Sequence, residues 1–279
     1  GKNIPIDLSL GFHSDAGATP NDSIIGTLAI HTLYSEGRKV LPDGESRMTS
    51  RELADLVQSQ LIHDLHAGLS PEWTRRQLRD RQYRESRTPS CPAMLLELLS
   101  HQNFADMKYG LDPAFRFTAS RAVYKGILKY LSYRYGCQYV VQPLGVKELS
   151  ANPSADGTMV RLRWKERVDT LEKTAAAEGF IIYTRLDDGA FDSGKKITMF
   201  KKESGYYSVE LPIEKGHLYS FSLQAFNDGG KSFRSETVCA GVPENNSGCD
   251  SLGRSKVLIV NNFDRLSCPA FIQTDTYAG

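Results

Sequence analysis

The spacing of apolar residues changes character near Cys137, and that change limits the folds open to this chain. Before it, helical and strand periods alternate. Leu53, Leu56, Val57, Leu61 and Leu65 recur every three to four residues or at multiples of that spacing, which lines one face of a helix. Thr49-Ser50-Arg51-Glu52 ahead of them has the form of a capping box, and Gly68 stands where the helix should stop. Ile6, Leu8 and Leu10 alternate as a strand does, and residues 24–33 form a second β-rich run. Ala93–Ser100 is a short apolar run behind Pro89 and Pro92, bounded too closely for a helix, and reads as a buried strand. Asp112 and Pro113 suit the N-cap and first position of another helix, with Phe115, Ala119, Val123, Ile127 and Leu131 as its apolar stripe and Gly136 as its stop. Strands alternating with helices predict an α/β region.

After Cys137 no long helical period survives. Residues 159–164, 180–186, 206–211, 218–227 and 232–239 are β-rich, with turn signals at Asp187-Asp188-Gly189 and Asn227-Asp228-Gly229-Gly230. That texture predicts a β-sandwich of about 100 residues. A polar stretch, Glu244-Asn245-Asn246-Ser247-Gly248, then precedes a fresh apolar run, Lys256-Val257-Leu258-Ile259-Val260. The expected division is therefore an α/β domain at 1–137, a sandwich at 142–243, and at 255–279 either the opening of a further domain or a tail.

Composition excludes some functions. With 34 Lys and Arg against 33 Asp and Glu, the net charge of +1 lacks the basic footprint of a nucleic-acid-binding chain, so no nucleic-acid partner is expected. No apolar run approaches the ~20 residues of a membrane span. Five cysteines at irregular spacing, without a C-x-x-C, support neither a disulfide framework nor a zinc knuckle. The first residues also lack the basic-then-apolar layout of a signal peptide.

Two residues stand out chemically. His13 follows the first strand, and the carboxyl end of a strand is where α/β sheets place their ligand sites. Glu97 lies inside Met94-Leu95-Leu96-Glu97-Leu98-Leu99, where a carboxylate costs several kcal/mol to bury unless it is paired, protonated or beside a metal. Pairing with an arginine such as Arg87 is the structural alternative. His63 and His66 are three apart on the first long helix but near its polar side; His31 and His101 fit packing or hydrogen-bonding roles. Arg75, Arg76, Arg79, Arg81, Arg84 and Arg87 form a basic stretch that reads as a solvated face, with Arg87 able to recognise a carboxylate on an anionic substrate.

Phe12-His13-Ser14-Asp15-Ala16, then Pro92-Ala93-Met94-Leu95-Leu96-Glu97 with Asn103 six residues on, then Asp112-Pro113-Ala114-Phe115-Arg116 and Gly126-Ile127-Leu128 follow one another with a helix between the first two. This series resembles the zinc-dependent N-acetylmuramoyl-L-alanine amidases of the amidase 3 type. Leu162, Trp164, the run from Tyr219 to Asn227, Gly229-Gly230-Lys231-Ser232 and Ser235 resemble a fibronectin type III domain.

The amidase resemblance implies His13 as a metal ligand, Glu97 as the catalytic proton acceptor, Asp15, where the family has an Asn-like residue, as a substrate-binding residue together with Arg87, and zinc as cofactor. It also implies a peptidoglycan or other envelope-glycan substrate and a secreted, periplasmic or cell-envelope location. The family's two earlier zinc ligands have no counterpart ahead of His13, so a preceding segment that completes the site and the sheet is expected. Two alternatives stay open. One is a non-catalytic cell-surface module for glycan binding or adhesion; the other is a xanthan-lyase-like polysaccharide-degrading enzyme drawing on Tyr83, Arg87 and His101.

Overall fold

The computed structural model describes residues 4–244, so the apolar run at 256–260 and the expected element at 255–279 lie outside the described residues. Those residues fall into two compact units, 4–138 and 139–244.

The first unit is built on strands β1 (Ser9–Asp15), β2 (Leu28–His31), β3 (Arg79–Asp80) and β4 (Ala93–Ser100). Its helices are α1 (Met48–Gly68), α2 (Arg84–Arg87), α3 (Phe104–Gly110) and α4 (Pro113–Tyr135). The sheet order is β1-β4-β2-β3, with β4 parallel to β1 and antiparallel to β2. Met94, Leu96 and Leu98 of β4 pack with Ala29 against apolar residues of α1 and α4, among them Leu53, Val57, Leu61, Phe115 and Ala119. Leu95 points to the other face, with Leu28 and Ile30. Where α1 and α4 cross, a Cβ on Gly126 would stand 2.7 Å from Val57 Cα, so glycine lets the two backbones meet. Lys125 and Asp64 form a fully buried ion pair at 2.5 Å, and Gln60 also donates to Asp64.

Helix α4 has the predicted boundaries. Asp112 Oδ1 accepts from Ala114 N, and Gly136 closes the helix in the left-handed conformation at φ 60°. Helix α1 departs from expectation: it starts at Met48, behind Arg47, without a side-chain cap. The capping-box hydroxyls are drawn to tertiary partners instead. Thr49 Oγ1 bonds Tyr130 Oη at 2.5 Å and Ser50 Oγ accepts from Ala93 N at 3.1 Å. The first strand likewise begins at Ser9 rather than at Ile6, and Ile4 and Ile6 are exposed.

The second unit is a sandwich. One sheet orders β5 (Lys147–Pro153), β6 (Met159–Lys165), β10 (Tyr206–Pro212) and β9 (Lys201–Glu203). The other orders β12 (Gly230–Lys231), β11 (Leu218–Asn227), β7 (Gly179–Leu186) and β8 (Lys195–Lys196), with β13 (Val238–Gly241) also on β11. Trp164, Phe180, Leu162, Phe221 and Leu223 fill the space between the sheets, and Tyr219 packs at its margin. The strand expected at 232–239 is not continuous. Ser232 Oγ and Ser235 Oγ accept the amides of Ala225 and Leu223, so serine hydroxyls substitute for the carbonyls of a regular ladder until β13 begins.

Asp106 is fully buried in α3 and accepts from three amides: Ile25 N at 2.8 Å, Gly26 N at 3.2 Å and Ser100 N at 2.8 Å. It ties the end of β4 to the entry of β2. Asp106→Ala leaves those amides without an acceptor at about 1 to 3 kcal/mol each, so urea unfolding should show a loss of roughly 3 kcal/mol or more. A loss below about 1 kcal/mol would show that water replaces the carboxyl at little cost.

His31 is 3% exposed, and its Nδ1 has no partner. Burial lowers its pKa below the ordinary value; Asp80 opposes the shift and Arg51 adds to it. A depressed histidine contributes stability that is present above the unfolded value, about 6.5, and lost as pH falls through the folded one. The melting midpoint of the first unit should therefore fall between pH 7.5 and 5, and His31→Leu should flatten that slope. An identical slope in the variant would assign the pH dependence to other groups.

Candidate functional site

The parallel ladder between β1 and β4 sets His13 directly across from Glu97. Paired residues on adjacent strands project to the same face, so both side chains leave the sheet opposite α1 and α4. Immediately beyond, the register shifts between His13 and Asp15, and Asp15 comes to pair with Ser100. The site thus lies at the carboxyl ends of two parallel strands, and a bulge re-aims the last residues of β1.

Glu97 has one carboxyl oxygen, Oε2, that is buried and without a hydrogen-bond partner. Burial raises its pKa above the ordinary carboxylate value, and Asp15 adds to the rise; His13, Arg76 and His101 oppose it. Asp15 shifts the other way. Arg76 Nη1 donates to its Oδ2 at 2.6 Å and Ala16 N to its Oδ1 at 2.7 Å, and the arginine bond is the main reason its pKa is lowered. Two neighbouring carboxyl groups are therefore driven apart, Asp15 toward permanent charge and Glu97 toward holding a proton. That division, with Glu97 raised and Asp15 lowered, separates a group that can hold a proton from one that stays charged.

Three further groups surround the pair. Glu85 of α2 stands 3.9 Å from His13 Nε2, with both side chains nearly half exposed. His101 donates its backbone amide to Asp15 O at 2.9 Å, and its Nδ1 is 3.0 Å from Ser14 Oγ. An open cleft of about 620 Å³ runs along β1 and is lined by Phe12, His13, Ser14, Leu98, Leu99 and Arg116, among others.

The candidate residues do not all converge. His13, Asp15 and Glu97 come together, and Arg87 stands at the end of α2. Its carbonyl accepts from Arg47 Nη2, and the guanidinium acting on Glu97 and Asp15 is that of Arg76. Arg75 of the same basic stretch pairs with Asp55 at 2.6 Å. His31 shares the helix-side face of β2 with Ala29, away from Glu97. His63 bonds Asp64, and His66 Nε2 lies 2.7 Å from Trp73 O. Asn103, the residue six positions after Glu97, caps α3 by accepting from Asp106 N. His101 takes the hydrogen-bonding role expected of it, with Ser14, whereas the sequence singled out neither Glu85 nor, within the basic stretch, Arg76, because charge in a basic run does not show which member turns inward.

A catalytic zinc takes three protein donors. His13 is one, and Glu97 is the group suited to carry protons. Among the described residues no group of three His, Cys, Asp or Glu side chains is placed to hold a metal ion. The residues present do not complete a zinc site.

No protein-family model and no curated protein matches this chain. Solved structures similar to it include the CwlD amidase from Clostridioides difficile in complex with the GerS lipoprotein, at 19% identity and a TM-score of 0.37, covering 47% of this chain and 57% of that one. The N-acetylmuramoyl-L-alanine amidase AmiC2 of Nostoc punctiforme is similar at 17% identity and a TM-score of 0.35, covering 45% of this chain and 58% of that one. The third fibronectin III domain of the human KIAA0343 protein is similar at 17% identity and a TM-score of 0.30, covering 41% of this chain and 92% of that one. The chain spans less than two thirds of each of the two amidases. Likeness of this size decides no function, and the α/β unit and the sandwich stand on their own strand order and register.

Proposed function

We propose that the first unit is a cell-wall-amidase-like hydrolytic module whose proton carrier is Glu97. The observation that supports it is the buried, unpartnered Glu97 Oε2 on the strand face shared with His13. The bond cleaved would be the amide between N-acetylmuramic acid and L-alanine in peptidoglycan, which places the protein in the cell envelope. Glu97 takes a proton from the attacking water and delivers it to the leaving nitrogen, and its raised pKa suits it to do both. Asp15, kept ionised by Arg76, favours the protonated form of Glu97 between the two transfers. His13 is the single metal donor of this set. The remaining donors come from a segment outside the described residues, one able to pair beside β1, which is an edge strand. The sandwich adds no chemistry to the reaction and serves as a spacer or contact domain.

The donor count also favours a second reading, a glycan-binding module without catalysis, and one experiment separates the two. The chain of residues 1–279 and a version extended at its N-terminus are dialysed, assayed for zinc, and tested for release of stem peptide from peptidoglycan. The expected result is well under one zinc and no release for residues 1–279, with one zinc and release for the extended form. Glu97→Gln in the extended form should keep the metal and lose roughly 100- to 10,000-fold in rate. Full activity in Glu97→Gln, or an inert extended form that still binds glycan, would overturn the hydrolytic reading.

A further inference from the structure

The sandwich contains a feature that the proposed hydrolytic role does not use. An apolar cleft of about 650 Å³ opens between its two sheets. Ile182 and Phe221 contribute from one sheet, Val209 and Leu211 from the other, and Met199 stands 82% exposed at the rim. In a closed sandwich such inner-face side chains interdigitate across about 10 Å. Here β8 is only two residues long; after it Ile197 packs on the core, while Thr198 and Met199 form part of the cleft wall beside the half-buried Val209 and Leu211. Ligand pockets commonly have volumes of roughly 300 to 1,000 Å³ with mostly apolar walls and a few polar groups, and this cleft falls within that description.

The charge at its edge is specific. Lys195 pairs in register with Ile182, an inner-face residue, so its side chain leaves β8 on the cleft side. Lys196 also borders the cleft, but its Nζ lies over the Phe226 ring at 4.5 Å. Lys195 forms no ion pair among the described residues. The acid nearest in sequence, Asp192, also lines the cleft but is engaged by the amides of Thr184 and Gly194. An inward lysine on an edge strand can also discourage strand pairing between molecules, but that role requires no cavity.

We propose that this cleft binds an amphiphile with an unbranched apolar chain and an anionic head group, the chain lying over Met199, Val209 and Leu211 and the head meeting Lys195. The proposal is independent of the chemistry assigned to the first unit. It is tested by calorimetric titration of the whole chain with sodium dodecanoate below its micelle-forming concentration. Saturable one-to-one binding is expected, with octanoate weaker by at least about tenfold for its four missing methylenes. Lys195→Glu should weaken dodecanoate by about fivefold or more, and dodecyltrimethylammonium should bind the native chain less well than dodecanoate. Leu211→Trp, which puts an indole into the cleft, should abolish binding while the melting transition is retained; if that variant does not fold, Val209→Phe replaces it. Absence of saturable binding, equal affinity for the cationic amphiphile, or unchanged affinity in Lys195→Glu would overturn the proposal.

Discussion

Strand β4 has to satisfy three neighbours at once, and the first unit is arranged around that requirement. It pairs with β1 on one side and β2 on the other, while Met94, Leu96 and Leu98 must reach α1 and α4. Strand periodicity leaves Leu95 and Glu97 for the opposite face. A shift of one residue in register would drive the Glu97 carboxyl into the helix-packed core, at a cost of several kcal/mol. Helix packing on one face therefore fixes where the acid stands on the other. Asp106 secures the same strand at its end by holding Ser100 N, so the position of the site does not depend on a mobile loop.

That placement creates the electrostatic contrast. Glu97 lies on a strand rich in leucine and shares its neighbourhood with a second carboxyl group, whereas Asp15 sits past the bulge, where Arg76 can reach it. The Glu97 shift is itself a balance: burial and Asp15 raise its pKa, while His13, Arg76 and His101 lower it. The arrangement has the asymmetry that proton transfer needs, and among the described residues it does not reach the donor number that a zinc site needs.

How much of this was legible in the sequence follows from what each signal depends on. The bounds of β4 and α4 could be read because their causes are local: a bounded apolar run in one case, Asp112, Pro113 and Gly136 in the other. The pairing of His13 with Glu97 came from order and spacing that resemble a known family, and periodicity alone would not have set two strands side by side. The start of α1 was misread because Thr49 and Ser50 have long-range partners, Tyr130 and Ala93, that no local pattern reveals. Arg87 was preferred to Arg76 on sequence proximity to β4, yet the turn after α1 is what delivers Arg76 to Asp15. The serines at 232 and 235 looked like strand residues because they do run beside β11, bonding through hydroxyls where a ladder would use carbonyls.

Strand β1 links the open questions of the first unit. It carries His13, and among the described residues it is also an edge of the sheet, with Phe12 53% exposed and a cleft alongside. An unpaired edge of seven residues offers backbone donors and acceptors to any extended segment, and its apolar side chain rewards one that covers it. A strand added there would lie one ladder spacing, about 4.8 Å, from His13, close enough for its side chains to enter the same coordination sphere. In the proposed hydrolytic role, further donors and cover for this edge would come from one added strand, which would have to fit beside α2 and the α3–α4 residues that border β1, Glu85, Gly110 and Arg116 among them.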